Sequence, residues 1–391
     1  MKLIFIHDGP IFYNENGQYY EYSYHGLKER YSFLADDICF LMRTLPVSTD
    51  TKGTILDDQV HVISVPNFKT PKLYITKKGE AKRIIRNALK DADIAVVRGS
   101  SCGSIALKYI KRNKIPYIYE CVGCTWDSLW NHSFLGKLLA VPSFLKTRAE
   151  IRDADYVYYV TKEFLQKRYP THGKSVDCSN VSIDLIPRDV LLNRFKRNDQ
   201  LKSKKIVLGT AAALDVRYKG QQYVIRAIPQ LVSSGYDVIY RLAGGNRTKS
   251  DYLRSIARKC GVSDRVEFCG SLSKDEMDGF YDGIDIYIQP SLQEGLPRSV
   301  IEAMSRGCLC LGSHIAGIPE LLDQPFLFSK GCVNEIASTI KDILTKDLNA
   351  ISKRNFETAQ QYNLTVLQTK REQFYASFLR ENGLNQNLYN E

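Results

Sequence analysis

Short apolar runs alternate with amphipathic stretches along this chain, and the alternation breaks off once and then starts again. In the first half "KLIFIHD" (2–8), "VHVISV" (60–65), "DIAVV" (93–97), "PYIYEC" (116–121) and "DYVYYVT" (155–161) read as strands, with helical patterns near 27–43, 79–90, 101–113 and 135–152. Residues 185–204 are polar and basic and read as a linker. The pattern resumes with strands at 205–211, 238–245, 265–270, 284–290 and 308–313, and helices near 220–234, 249–260, 274–282, 297–306 and 333–346. Such alternation predicts parallel sheets covered by helices on both faces. At 391 residues the chain exceeds one ordinary core, so two doubly wound, Rossmann-like α/β domains are expected, 1–184 and 205–363. Leu364, Leu367, Phe374 and Phe378 share a face of a last helix within 364–391, expected to pack back on the first domain. Ligands of such sheets bind outside the carboxyl ends of the strands, which here implies a cleft between the domains.

Composition narrows the setting. No apolar run approaches a membrane span, and the opening "LIFI" is only a strand's worth, so a cytoplasmic protein is expected. Ten cysteines then read as reduced, mostly buried thiols. A net charge of +11 is spread over both halves but concentrated at 69–90, where eight Lys and Arg face Glu80 alone. That run reads either as a solvated helix face or as attraction to an anionic membrane or a phosphate-bearing substrate. Nucleic acid is disfavoured, because no binding motif accompanies the charge. Neither the lone "CVGC" (121–124) nor the six histidines show metal-ligand spacing, and there is no paired-aspartate motif, so no metal and no cofactor are expected.

Candidate ligand groups gather at strand ends of the second half. Arg217 and Lys219 precede a helix, an arrangement suited to a diphosphate. Gly244 and Gly245 close one strand, where backbone can approach a ligand, and Gly270, Ser271 and Leu272 close another. "EGLPRSVIEAM" (294–304) places Glu294 on a loop before a short helix, with Pro297 at its first position, Glu302 inside it and Gly307 at its end. In the first half, Arg98 follows strand 93–97 and points toward the expected cleft. Taken singly, each feature has an ordinary structural reading.

Their order and spacing carry more. Residues 205–322, and above all the E-x7-E element from Glu294 to Glu302, resemble the nucleotide-sugar-binding domain of retaining glycosyltransferases of family 4, which have the GT-B fold. The first half matches only in layout and in "SNVSID" (179–184). The resemblance implies that Glu302 accepts hydrogen bonds from the ribose diol, a vicinal pair suited to a carboxylate. Glu294 would hold hydroxyls of the donor sugar, Gly295, Leu296, Pro297 and Arg298 would complete the donor segment, and Gly270 to Leu272 would flank the base. Lys219 would neutralise the departing diphosphate, where charge develops. The implied activity is transfer of a sugar from a nucleotide-diphosphate donor to a glycan or lipid-linked acceptor, with retention, in cell-surface polysaccharide synthesis. An epimerase of the same fold and a non-catalytic nucleotide-sugar-binding protein are the alternatives.

Two departures stand out. Ala211-Ala212-Ala213 occupies the turn where the family commonly carries an arginine, leaving Arg217 as its substitute. The family's histidine near the reacting sugar is missing from "YIYECVG", where Glu120 stands, and on the acceptor side Gly9, Arg98 and Glu120 are the candidates. The apolar "FLGKLLAVPSFLK" (134–146) reads as a core helix or as a peripheral contact with an anionic bilayer.

Overall fold

In the first domain the buried run Leu3–Ile6 seeds the central strand of a sheet whose strands are almost all parallel. Among the elements of the domain are β1 (Lys2–Tyr13), β2 (Tyr19–Glu21), α1 (Leu27–Tyr31), β3 (Asp37–Pro46), β4 (Thr54–Ile55), β5 (His61–Val65) and α2 (Pro71–Ala88). They continue with β6 (Ile94–Arg98), α3 (Ser101–Asn113), β7 (Tyr117–Cys121), α4 (Thr125–Trp130), α5 (Phe134–Arg152), β8 (Tyr156–Tyr159), α6 (Phe164–Arg168) and β9 (Lys174–Asp177). The parallel order is β5-β3-β1-β6-β7-β8-β9, with β2 antiparallel to the last two residues of β1 and β4 antiparallel to β2. This computed structural model describes all residues except 22–25, 48–53, 57–59, 132, 202–204, 246–249 and 385–391.

Two expectations for this half fail. The stretch 27–43 is not one helix: α1 stops at Tyr31, and Asp37–Pro46 forms β3 beside β1. Its run Ile38–Met42 is buried throughout, and a short apolar run without polar alternation is a strand or a buried helix by pattern alone. Nor does β1 end at Asp8. It continues to Tyr13 across an irregularity between His7 and Ile11, so "HDGP" lies within a kinked strand.

The stretch read as linker holds helix α7 (Arg188–Gln200). It is seated on the second domain by polar groups that hydrophobic periodicity cannot register. Buried Arg194 donates to the carbonyls of Tyr281 and Ile284, both at 2.7 Å, and Asn198 to Ser352 Oγ at 2.9 Å.

The second domain runs β10 (Lys205–Ala211), α8 (Gln221–Ser233), β11 (Asp237–Ala243), α9 (Asp251–Lys259), β12 (Val266–Gly270), α10 (Lys274–Asp282), β13 (Ile286–Gln289), α11 (Arg298–Ser305), β14 (Leu309–Ser313), β15 (Leu327–Phe328), α12 (Val333–Ile343) and α13 (Leu348–Gln360). Its sheet is parallel, in the order β12-β11-β10-β13-β14-β15. The reversal of order between β10 and β13 is the switch point at which a crevice opens.

The last helix, α14 (Leu364–Glu381), lies on the first domain. Phe374 and Phe378 meet the Tyr156 ring at 5.7 and 5.1 Å, and Lys370 pairs with Asp177 at 2.7 Å. The chain therefore crosses between domains twice, side by side, where Ile183 and Asn363 form a bridge. None of the ten cysteines forms a disulfide, and seven are buried. Among the described residues, no helix is long and apolar enough to cross a membrane and no cluster of His, Cys, Asp and Glu could hold a metal ion.

Candidate functional site

The second domain's half of the site is stitched together by its two strand-end loops. Tyr218 O accepts from Leu292 N at 2.7 Å. Gly220 turns with φ +81° so close to Pro290 that a Cβ would lie 1.8 Å from its carbonyl oxygen. Only glycine tolerates both demands. The consequence is that Lys219, on the β10–α8 turn, reaches Glu294 on the β13–α11 loop.

Three donors converge on Glu294 Oε1: Lys219 Nζ at 2.7 Å, Ser291 Oγ at 2.7 Å and Gln289 Nε2 at 2.9 Å. None of these bonds uses Oε2. Gln289 is itself fixed, its Oε1 accepting from Tyr287 OH at 2.6 Å and Ser299 Oγ at 3.1 Å. Glu302, one helix further in, accepts from Tyr281 OH at 2.8 Å. Burial, and then the Glu302 charge, push the Tyr281 phenol well up, so it remains a donor.

The remaining donor-side candidates are placed unevenly. Arg217 is exposed and lies over the Tyr252 ring at 4.5 Å. Gly244, at φ +122°, approaches its own chain: a Cβ would sit 2.4 Å from Ala212 O, so this glycine serves the packing of the β10 and β11 ends. Gly270 accepts from Gly244 N at 2.8 Å, Ser271 Oγ donates to Gly245 O at 3.1 Å, and Leu272 packs on the core. Pro297 is buried as the cap of α11, one place before its first residue, and Arg298 is exposed. Gly295 touches the other domain, because a Cβ there would meet Val122 O at 2.7 Å. Leu296 lines a second, smaller crevice with Val160 and Tyr362.

Between the domains lies a cavity of about 780 Å³. Lys219, Glu294 and Gly295 enter it from one side, His7, Asp8 and Lys69 from the other. Asp8 caps α3, accepting from Ser101 N at 2.8 Å and Cys102 N at 2.7 Å, and it pairs with Lys69. Burial alone would raise the Asp8 carboxyl, but the Lys69 ammonium and these N–H groups outweigh it and hold it well below the usual carboxylate range. Burial, and then Arg98, lower the His7 imidazole to about 3, so the ring is neutral near pH 7. Its Nδ1 accepts from Gly9 N at 3.0 Å, which leaves the ring proton on Nε2.

Two acceptor-side candidates are elsewhere. Arg98 and Glu120 do not line the cavity. They form a buried pair, Nε and Nη2 of Arg98 donating to Glu120 Oε2 at 2.9 and 2.8 Å, and Tyr31 OH donates to the other oxygen. Gly9 contributes only its backbone N–H to His7. Among the first-domain residues that do line the cavity are the neighbours His7 and Asp8, polar groups at the end of an apolar run, a signal that "HDGP" already contained.

Residues 205–346 match the model of the family described as glycosyl transferases group 1. Over 384 residues the chain is 29% identical to protein CapJ of Staphylococcus aureus, covering 95% of this chain and 94% of CapJ. It is 26% identical over 306 residues to the phosphatidylinositol N-acetylglucosaminyltransferase gpi3 subunit of Schizosaccharomyces pombe, covering 77% of this chain and 65% of that one. In structure it is similar to Anabaena HepE in complex with UDP-glucose, with a TM-score of 0.65 at 18% identity over 96% of this chain and all of HepE. The two facing α/β domains are those of the GT-B fold.

Proposed function

We propose that the chain is a group 1 glycosyltransferase dependent on a nucleotide sugar, and that it transfers a sugar from a nucleoside diphosphate donor to a glycan or lipid-linked acceptor with retention, in cell-surface polysaccharide synthesis. The observation that carries this reading is the Lys219–Glu294 clamp, which opens onto a cavity whose far wall holds His7 and Asp8. A donor diphosphate draws Lys219 toward itself. Glu294 Oε1 then exchanges an ammonium for a sugar hydroxyl, so binding and positioning are coupled in one step. Negative charge growing on the leaving phosphate meets Lys219 and the N-terminus of α11. Glu302 holds the ribose diol, Arg217 supplies a second cation, and Gly270 to Leu272 flank the base. No metal takes part.

The name of one relative supports a lipid-linked acceptor. CapJ matches along nearly the whole chain, and the gpi3 subunit is named for a transferase acting on a phospholipid. HepE, bound to UDP-glucose, makes UDP-sugars the first donors to try. The test is nucleoside diphosphate release from UDP-, GDP-, ADP- and dTDP-sugars by wild type and Glu302→Ala, with thermal-shift binding alongside. One donor is expected to be consumed, with the variant inactive and EDTA without effect. Wild-type kinetics in Glu302→Ala, or no binding of any nucleotide sugar, would overturn the reading. NMR of the product's anomeric proton tests retention.

A further inference from the structure

The cavity extends beyond the Asp8 wall into a channel between α2, α3, α4 and α5, and its chemistry changes along the way. Lys69, Lys78, Lys82, Lys108 and Lys146 line this first-domain part, where Asp8 is the only lining carboxylate among the described residues and is already paired with Lys69. Lys146 lies 3.7 Å from Glu150, and Lys78 donates to Tyr74 OH while standing over its ring. Lys82 and Lys108 make no hydrogen bond or ion pair with any described residue. Tyr74, Lys78 and Lys82 recur every fourth residue, so one face of α2 is a cationic stripe aimed into the channel.

The opposite wall turns apolar. Helix α5 presents Ser143, Lys146 and Thr147 to the channel. Its face continues toward the helix N-terminus through Leu139 and Leu135, four and eight residues before Ser143. Around them Phe134, Leu138 and Leu145 are more than half exposed, as is Ile75 of α2. Helix α5 rests on the protein through few side chains, buried Gly136, Ala140 and Ile151 among them. A contiguous exposed apolar face of this size marks a binding surface. A cationic channel opening beside an apolar helix face matches one kind of ligand: an amphiphile with a phosphorylated head and a hydrocarbon tail.

We propose that the acceptor's sugar is joined to a lipid through a phosphate or diphosphate, with the anionic group on the Lys78–Lys82–Lys108 stripe and the chain along the exposed face of α5. This rests on the glycosyltransferase reading above and names its acceptor class.

The experiment uses the full chain and three probes: farnesyl diphosphate, inorganic diphosphate and farnesol. The two tryptophans of the chain stand on α4, whose Thr125, Ser128 and Leu129 line the channel, with Trp130 stacked on Trp126 at 5.4 Å, so their emission is the readout of binding. Farnesyl diphosphate is expected to bind at least ~10-fold more tightly than either other probe. Lys78→Ala with Lys82→Ala is expected to weaken it ~10-fold or more, and Leu138→Ser with Leu139→Ser to reduce it to the level of inorganic diphosphate. Lys82, Leu138 and Leu139 are exposed and Lys78 is half-buried, and circular dichroism checks that the variants fold. Lys219→Ala is expected to leave this binding within about two-fold, which separates the site from the donor pocket. Equal affinity for inorganic and farnesyl diphosphate would mean a plain phosphate site. Equal affinity for farnesol would mean an apolar patch that fits a protein partner as well. Either result, or no binding, overturns the proposal. Because Lys219 and Glu302 take no part, a failed donor assay with intact farnesyl diphosphate binding would count against the donor reading alone.

Discussion

Each domain carries a cation–carboxylate pair at the carboxyl ends of its strands, and the two pairs have opposite surroundings. Arg98 and Glu120 sit directly across from each other on β6 and β7, 7% and 1% exposed, with a tyrosine closing the last oxygen. Lys219 and Glu294 come from two loops, their side chains 23% and 10% exposed, at the wall of the cavity. The first pair is buried and lines no part of the cavity, so its charges hold the sheet end together. The second can trade its internal bond for a bond to substrate. A charge at a strand end thus identifies the polar end of a sheet, while solvent access decides whether it is architecture or chemistry.

Breaking each pair in turn tests this contrast. Glu120→Ala leaves Arg98 buried without its partner and is expected to lower the unfolding free energy by about 3–5 kcal/mol in urea titration. A loss below about 1 kcal/mol would mean that the pair is not sealed as described. Lys219→Ala is expected to do the reverse, leaving stability within about 1 kcal/mol while turnover drops ~100- to 1000-fold, or about 2.7–4 kcal/mol of transition-state stabilisation. Stability loss without loss of turnover would erase the distinction between the two pairs.

A pH series sharpens the contrast on the first-domain side. The unfolded chain binds a proton on His7 below its ordinary 6.5, whereas the folded chain does not until about 3. Stability therefore falls as pH drops through that window, by about 1–2 kcal/mol between pH 7 and 5. His7→Asn is expected to flatten this slope, and an unchanged slope in urea midpoints would show that His7 is not the group responsible. Last and smallest, Arg217→Ala should raise the donor KM only a few-fold, by about 1 kcal/mol or less, because its guanidinium is exposed over Tyr252. A larger change in kcat would move it into the clamp with Lys219.

The second domain was the more legible in sequence, and the reason is physical. Its strands and helices alternate with glycines and caps that announce their ends, as Gly307 does at φ +65° after α11. Glu294, Glu302 and Lys219 sit within a few residues of those punctuation marks. In the first domain, β3 was hidden because a run buried on both faces lacks polar alternation, and α7 because its contacts are made by Arg194 and Asn198. Arg98 and Glu120 looked like ligand groups since nothing in their local sequence reveals a cross-strand partner 22 residues away. His7 and Asp8 lay beside the residue singled out, but their sharing a cavity with Glu294 depends on how two separate domains dock.

The double crossing at Ile183 and Asn363 has a consequence for the chain's synthesis. The second domain is, in effect, an insertion into the first: everything from Lys205 to Gln360 emerges from the ribosome before α14 does. Tyr156 and Tyr158, whose final neighbours are Phe374, Phe378 and Arg371, have to wait through that whole interval for their cover. Among nascent chains domains usually mature in order from the N-terminus. Here the one that starts first is finished last.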